Sequence, residues 1–179
     1  MKCAYKLLII IFLISPLAIG QSLQKLDDKN GFRDFKFGSP YSSWASQLTF
    51  QKITDAQISL YNYNGGCCES FLGVKIESIN LGFSKNKSDQ IIIKLDKNNS
   101  KDISFKLKEY RTIIDKLILE FGKPSNHKSD ADTGEIKTYW HGNKVSMALY
   151  NLYGGYEIGA YNYLILVVNP KQKNNIDGL

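Results

Sequence analysis

Residues 106–124, KLKEYRTIIDKLILEFGKP, constrain the fold more than any other stretch of this chain. Leu107, Tyr110, Ile113, Ile114, Leu117, Ile118 and Phe121 recur at three- and four-residue steps, so they share one face of a helix. Lys108, Glu109, Arg111, Asp115, Lys116 and Glu120 fall largely on the other side. Gly122 supplies the left-handed stop, and Pro124 forbids resumption. The stretches on either side read mostly as strands. One wide apolar stripe beside strands requires a helix layered on a sheet.

The chain opens like a secretory signal. Lys2 and Lys6 form a basic start, residues 7–14 (LLIIIFLI) an apolar core, and Ala18-Ile19-Gly20 a small-residue cleavage site. Ser15 and Pro16 interrupt the apolar run, which is short for a membrane span. Cys3 precedes that run, so it is misplaced for lipid attachment, and the reading predicts a secreted or periplasmic protein without a stable membrane anchor. Cleavage after Gly20 removes two lysines and no acids, lowering the formal charge from +6 to +4. The 159 residues left are enough for one well-cored domain, expected over 31–169 between a polar lead-in (21–30) and a polar tail (170–179). Excess lysine between residues 85 and 116 favours weakly acidic partners or membrane surfaces. It lacks the Arg clustering and aromatic interleaving of a nucleic-acid site, so nucleic acid is not expected as a partner.

Residues 31–37 alternate aromatic with charged side chains, the period of a half-buried strand. Ser39-Pro40 then predicts a short helix reaching about residue 48, with Tyr41, Trp44, Ala45 and Leu48 inward. QISLYNY is a strand running into the turn Asn64-Gly65-Gly66. In residues 74–83 the alternation slips between Ile76 and Ile79, which predicts a β-bulge near Glu77 or Ser78. Residues 85–89 make a hairpin loop, 90–95 a strand, and 125–134 a polar loop. Residues 135–141, a strand through Val145, Met147 and Leu149, and 158–168 complete the set, with turns at Gly142-Asn143 and Gly154-Gly155. The expected fold is α+β: an antiparallel sheet of about six strands with two helices on one face. The order helix, three strands, helix, three strands also suggests a tandem duplication with a boundary near Asn98.

Gly31-Phe32-Arg33, Phe37-Gly38, Leu81-Gly82-Phe83, Leu119-x-Phe121-Gly122-Lys123-Pro124 and Tyr139-Trp140 together resemble small exported proteins of the β-lactamase-inhibitory-protein and SmpA/OmlA type. The resemblance spans most of residues 31–168 and implies their tandem helix-plus-sheet architecture. The lipidated cysteine of the lipoprotein group is absent here.

Cys67-Cys68 is the least ordinary feature, since adjacent cysteines in an oxidising compartment can form a vicinal disulfide. A C-x-x-C on a helix start and further metal ligands at useful spacing are both missing. Asp130, Asp132 and Glu135 fall short of a calcium loop, and His127 and His141 lie outside any nucleophile signature. No catalytic residue, metal site or cofactor is therefore assigned. The aromatics are the better clue. Tyr61, Tyr63, Tyr139, Trp140, Tyr150, Tyr153, Tyr156, Tyr161 and Tyr163 crowd the strands and their turns, and those at strand ends or on an uncovered sheet face can form a rigid amphipathic surface. The reading favours a non-enzymatic binding or inhibitor-like domain whose partner is another exported or envelope protein. A thiol-redox enzyme centred on Cys67-Cys68 and an envelope-assembly factor are its rivals.

Overall fold

A computed structural model of the chain describes residues 17–95, 103–153 and 160–169. The signal-like start through residue 16, the region around Asn98, the Gly154-Gly155 turn and the 170–179 tail lie outside them. In chain order the elements are α1 (Leu17–Lys29), β1 (Gly31–Phe32), β2 (Phe35–Lys36), β3 (Leu48–Ile53), β4 (Ser59–Tyr63), β5 (Ser70–Phe71), β6 (Val74–Ser84) and β7 (Lys87–Leu95). Then come α2 (Ile103–Phe121), β8 (Asn126–Ser129), β9 (Ile136–His141), β10 (Val145–Tyr153) and β11 (Ala160–Val168). The class is α+β, as the helix stripe beside strands requires.

The main sheet has nine strands rather than about six, in the order β3-β4-β6-β7-β11-β10-β9-β8, with β5 paired onto β6. All its pairings are antiparallel. Two meanders, β3-β4-β6-β7 and β8-β9-β10-β11, meet side by side where β7 pairs with β11. The extra strands come from segments without a buried face. In β8 all four residues are exposed, so the strand carries no apolar period and its residues read as loop. The irregularity predicted near Glu77 is present, as the β6–β7 register shifts between Ile76 and Ser78. The hairpin that follows is tighter than a five-residue loop, because Lys85 and Asn86 both take positive φ (48° and 61°) and close it in two residues.

Helix α2 buries Tyr110, Ile113, Leu117 and Phe121 against the sheet, and Ile114 and Ile118 pack at the edge of that core. Full burial contributes about 1.5–3 kcal/mol per aliphatic side chain of this size. Gly122 stops the helix with φ 78°, donating its N–H to Ile118 O at 2.8 Å. The polar side of the helix departs from expectation at its start. Lys106 is 1% exposed and lies 3.3 Å from Glu109, whose carboxylate also accepts from Asn162 Nδ2 at 2.9 Å. Asn162 in turn accepts from Asn151 Nδ2 at 2.8 Å. This buried polar chain satisfies groups that would be costly alone.

The second helix is not where the Ser39-Pro40 signal placed it. Residues after Pro40 form two 3₁₀ turns, Tyr41–Ser43 and Ala45–Gln47, because the preceding chain is tied to the β6–β7 hairpin. Gly38 N–H donates to Ser88 O at 2.8 Å and Tyr41 N–H to Asn86 O at 2.8 Å. The helix is instead α1, which begins at Leu17 within the expected signal segment and runs through most of the supposed polar lead-in. Its Leu26 is 1% exposed and Leu23 packs on the core, too narrow a stripe to announce a helix. Residues 31–37 fold as the small β1–β2 hairpin rather than as one strand, yet Phe32, Phe35 and Phe37 are all buried.

Asp27 fastens α1 to the far end of the chain. Its carboxylate is 3% exposed and accepts the backbone N–H groups of Asn143, Lys144 and Val145 at 2.8, 2.8 and 2.9 Å. Gly142 stands against that carboxylate with no room for a side chain.

Candidate functional site

Side chains alternate across each strand, so register decides which face a residue occupies. The helix-side face carries Ile91, Ile93, Leu164, Leu166, Met147, Leu149, Thr138 and Trp140, all buried with the α2 stripe. The opposite face carries the residues one step away. Across it, Tyr139 pairs with Ala148, Tyr150 with Lys137, Tyr163 with Lys94, and Ile165 with Ile92. Tyr139, Tyr150, Tyr163, Ile92 and Ile165 are all half-buried there.

This face is ordered by ring and cation contacts. Tyr139 and Tyr150 meet edge to face at 6.1 Å, and His141 stacks on Tyr139 at 5.8 Å. Lys137 lies 5.7 Å from the Tyr150 ring centre and bonds Glu135 at 2.6 Å. Lys94 lies 4.7 Å from the Tyr161 ring and bonds Glu77 at 2.8 Å. Burial works against the Lys94 charge, but the Glu77 bond and the neighbouring acidic and phenolic groups outweigh it and raise the pKa. Burial, aided by Tyr139, pushes the Tyr150 phenol up to about 12. Tyr163 also moves up through burial. The face therefore offers neutral hydroxyls at ordinary pH, on rings already held in place.

The structure sorts the expected aromatics into three groups. Tyr139, Tyr150 and Tyr161 share the open face, with Tyr161 itself 8% exposed. Tyr61 and Tyr63 lie on the helix-side face in an aromatic cluster. Tyr61 contacts Tyr41, Phe50 and Phe83 at 5.0, 5.5 and 5.7 Å, and Tyr63 contacts Phe35 at 4.9 Å. Trp140 is fully buried and donates Nε1–H to Gly122 O at 2.9 Å, a core anchor rather than a surface group. Tyr153 ends β10, and its side chain lies outside the described residues. Tyr156 lies outside the described residues, and Tyr163 joins the open face beside Ile92 and Ile165, two aliphatic residues that aromatic content alone does not point to. The β11 strand is apolar on both faces, so only its pairing with β7 and β10 separates them.

Cys67 and Cys68 are joined to each other as a vicinal disulfide in the loop between β4 and β5. Cys68 takes φ 72° and is 7% exposed, packed in the core. Asp130 Oδ1 accepts the N–H groups of Asp132 and Thr133 at 2.9 and 3.1 Å, and these bonds lower its pKa. Among the described residues no cluster of three His, Cys, Asp or Glu side chains is placed to hold a metal. His127 and His141 are bonded to Thr138 and Ser146 at 2.8 and 3.0 Å.

Fold and face together describe an α+β protein with one sheet face roofed by helices and the other presenting ordered aromatics. No protein-family model matches the chain, and neither the curated proteins nor the solved structures contain a match.

Proposed function

We propose that this is an exported, non-enzymatic protein-binding domain, and that its partner docks on the sheet face opposite the helices. The observation behind this reading is the continuous patch of Tyr139, Tyr150, Tyr163, Ile92 and Ile165, half-buried in the chain alone. Rings already fixed by neighbours lose little entropy on contact, which is why aromatic patches serve as binding anchors. Lys94 and Lys137, each held by an acid, supply a polar margin. The likeness to β-lactamase-inhibitory proteins and the tandem origin belong to the same proposal. Both are supported by a helix preceding each four-strand meander.

A photo-crosslinking residue placed at Tyr150 tests it, with Leu119, 85% exposed on the far side of α2, as the control position. A discrete covalent protein adduct from position 150, absent from position 119, supports the reading. Adducts from both positions, or from neither, remove it.

A further inference from the structure

A cavity of about 400 Å³ opens on the helix side, between α1, the β1–β2 hairpin and the C-terminal end of α2. Its size lies within the roughly 300–1,000 Å³ common for small-molecule sites. The floor is apolar, formed by Phe32, Phe71, Phe121, Met147, Leu164 and Leu166. The rim is not: Lys29, Arg33, Lys36 and Glu120 stand around it. Lys29 is paired with Glu120. The other two cations are spent on neutral carbonyls, Arg33 on Ser70 O at 2.8 Å and Lys36 on Lys29 O at 2.9 Å. Among the described residues neither makes an ion pair with a carboxylate. The mouth therefore carries uncompensated positive charge above a hydrocarbon-like floor.

We propose that this cavity binds a single-chain anionic amphiphile, an acyl chain whose terminal carboxylate is held at the rim. The floor excludes polar ligands, because their groups would lose water there without gaining partners. The rim disfavours cationic ligands by like charge. A carboxylate fits both ends of the site: the chain replaces water on the floor, and the head takes charge-assisted bonds from the Arg33 fork and the Lys36 ammonium. The site lies on the other side of the sheet from the tyrosine face, so it stands or falls independently of the protein-binding proposal.

Calorimetric titration of the delipidated protein with dodecanoate, below its micelle concentration, tests the assignment, with dodecanol as the uncharged control. One-to-one saturable binding of the acid is expected, weakened about tenfold or more for the alcohol. Arg33→Gln combined with Lys36→Gln, both exposed positions, should weaken the acid by a similar factor while lowering the melting temperature by only a few degrees, for two exposed hydrogen bonds lost. Leu72 is half-buried and also lines the cavity, so the bulkier side chain of Leu72→Trp should block binding in a folded protein and decides the matter if the charge variant loses its fold. Tyr150→Ala should leave binding intact. Absence of saturable binding, equal affinity for acid and alcohol, or full binding by the folded Arg33/Lys36 and Leu72 variants would overturn the proposal.

Discussion

Replacing Asp27 by alanine tests how α1 is held to the sheet. The side chain is 3% exposed and receives three backbone N–H groups from residues 143–145, more than a hundred positions away. Asn143 and Lys144 are exposed, so water can replace most of what their N–H groups lose. Val145 is fully buried, so its N–H is left without a partner in an apolar setting. A net hydrogen bond to a charged group contributes about 1.5–3 kcal/mol, and one readily rehydrated contributes about 0.5–1 kcal/mol. The loss for Asp27→Ala is then about 2.5–5 kcal/mol. In a domain of this size each kcal/mol moves the melting temperature by about 2–4 °C, so a fall of roughly 5–20 °C is expected. Asp27→Asn keeps an acceptor oxygen without the charge and should lose about half as much. Thermal and urea unfolding followed by circular dichroism measure the change, and hydrogen exchange at the Val145 amide shows whether the loss begins at the clasp. A variant within about 0.5 kcal/mol of wild type, with Val145 still protected, would refute the account.

Leu117→Ala removes a fully buried side chain from the centre of the α2 stripe and should cost about 2–5 kcal/mol by urea titration. A loss under about 1 kcal/mol would mean that the helix is not packed as described. Gly122→Ala forces a side chain into φ 78° at the helix stop and should cost about 1 kcal/mol, read from the same titration. Burial pushes both Tyr110 and Tyr150 up to about 12. Their unfolded value is near 10, so the folded chain holds these protons more tightly; this stabilisation is complete below about pH 10 and is lost as pH rises through about 12. Ultraviolet titration should show the Tyr110 and Tyr150 phenols among the late ones, with Tyr163 also delayed, and Tyr150→Phe should remove one of them.

The parts of the fold that were legible in the sequence are those with a wide buried face. The α2 stripe and its Gly122 stop are simple periodic signals, and so is the slipped alternation that marks the irregularity at Glu77. What was not legible is held by tertiary contact. Helix α1 shows the core two leucines and one carboxylate whose partners lie at residues 143–145, and no local pattern reports such a bond. Strand β8 buries nothing and exists because β9 offers it a free edge. The stretch after Pro40 has good helix-start chemistry, but hydrogen bonds to Asn86 and Ser88 divert it into 3₁₀ turns. For the candidate face, composition pointed to tyrosine and only pairing could choose among them.

Tyr139 and Trp140 show why register rather than residue type must carry the functional argument. They are neighbours, both aromatic and both suited to a binding surface by chemistry alone. Successive side chains on a strand point to opposite faces, so one joins the core and the other the open sheet. The pairings of Trp140 with Met147 and Tyr139 with Ala148 decide which. Trp140 then has a fixed role, filling space beneath α2 and bonding the Gly122 carbonyl. Tyr139 has no such duty and instead orders Tyr150 and His141 beside it. A one-residue slip would exchange the two and destroy both core and face, so the buried side enforces the geometry of the exposed one. Substitutions confined to Tyr139, Tyr150 and Tyr163 can therefore alter the open face, where docking is proposed, while the helix-side core still holds the sheet in place.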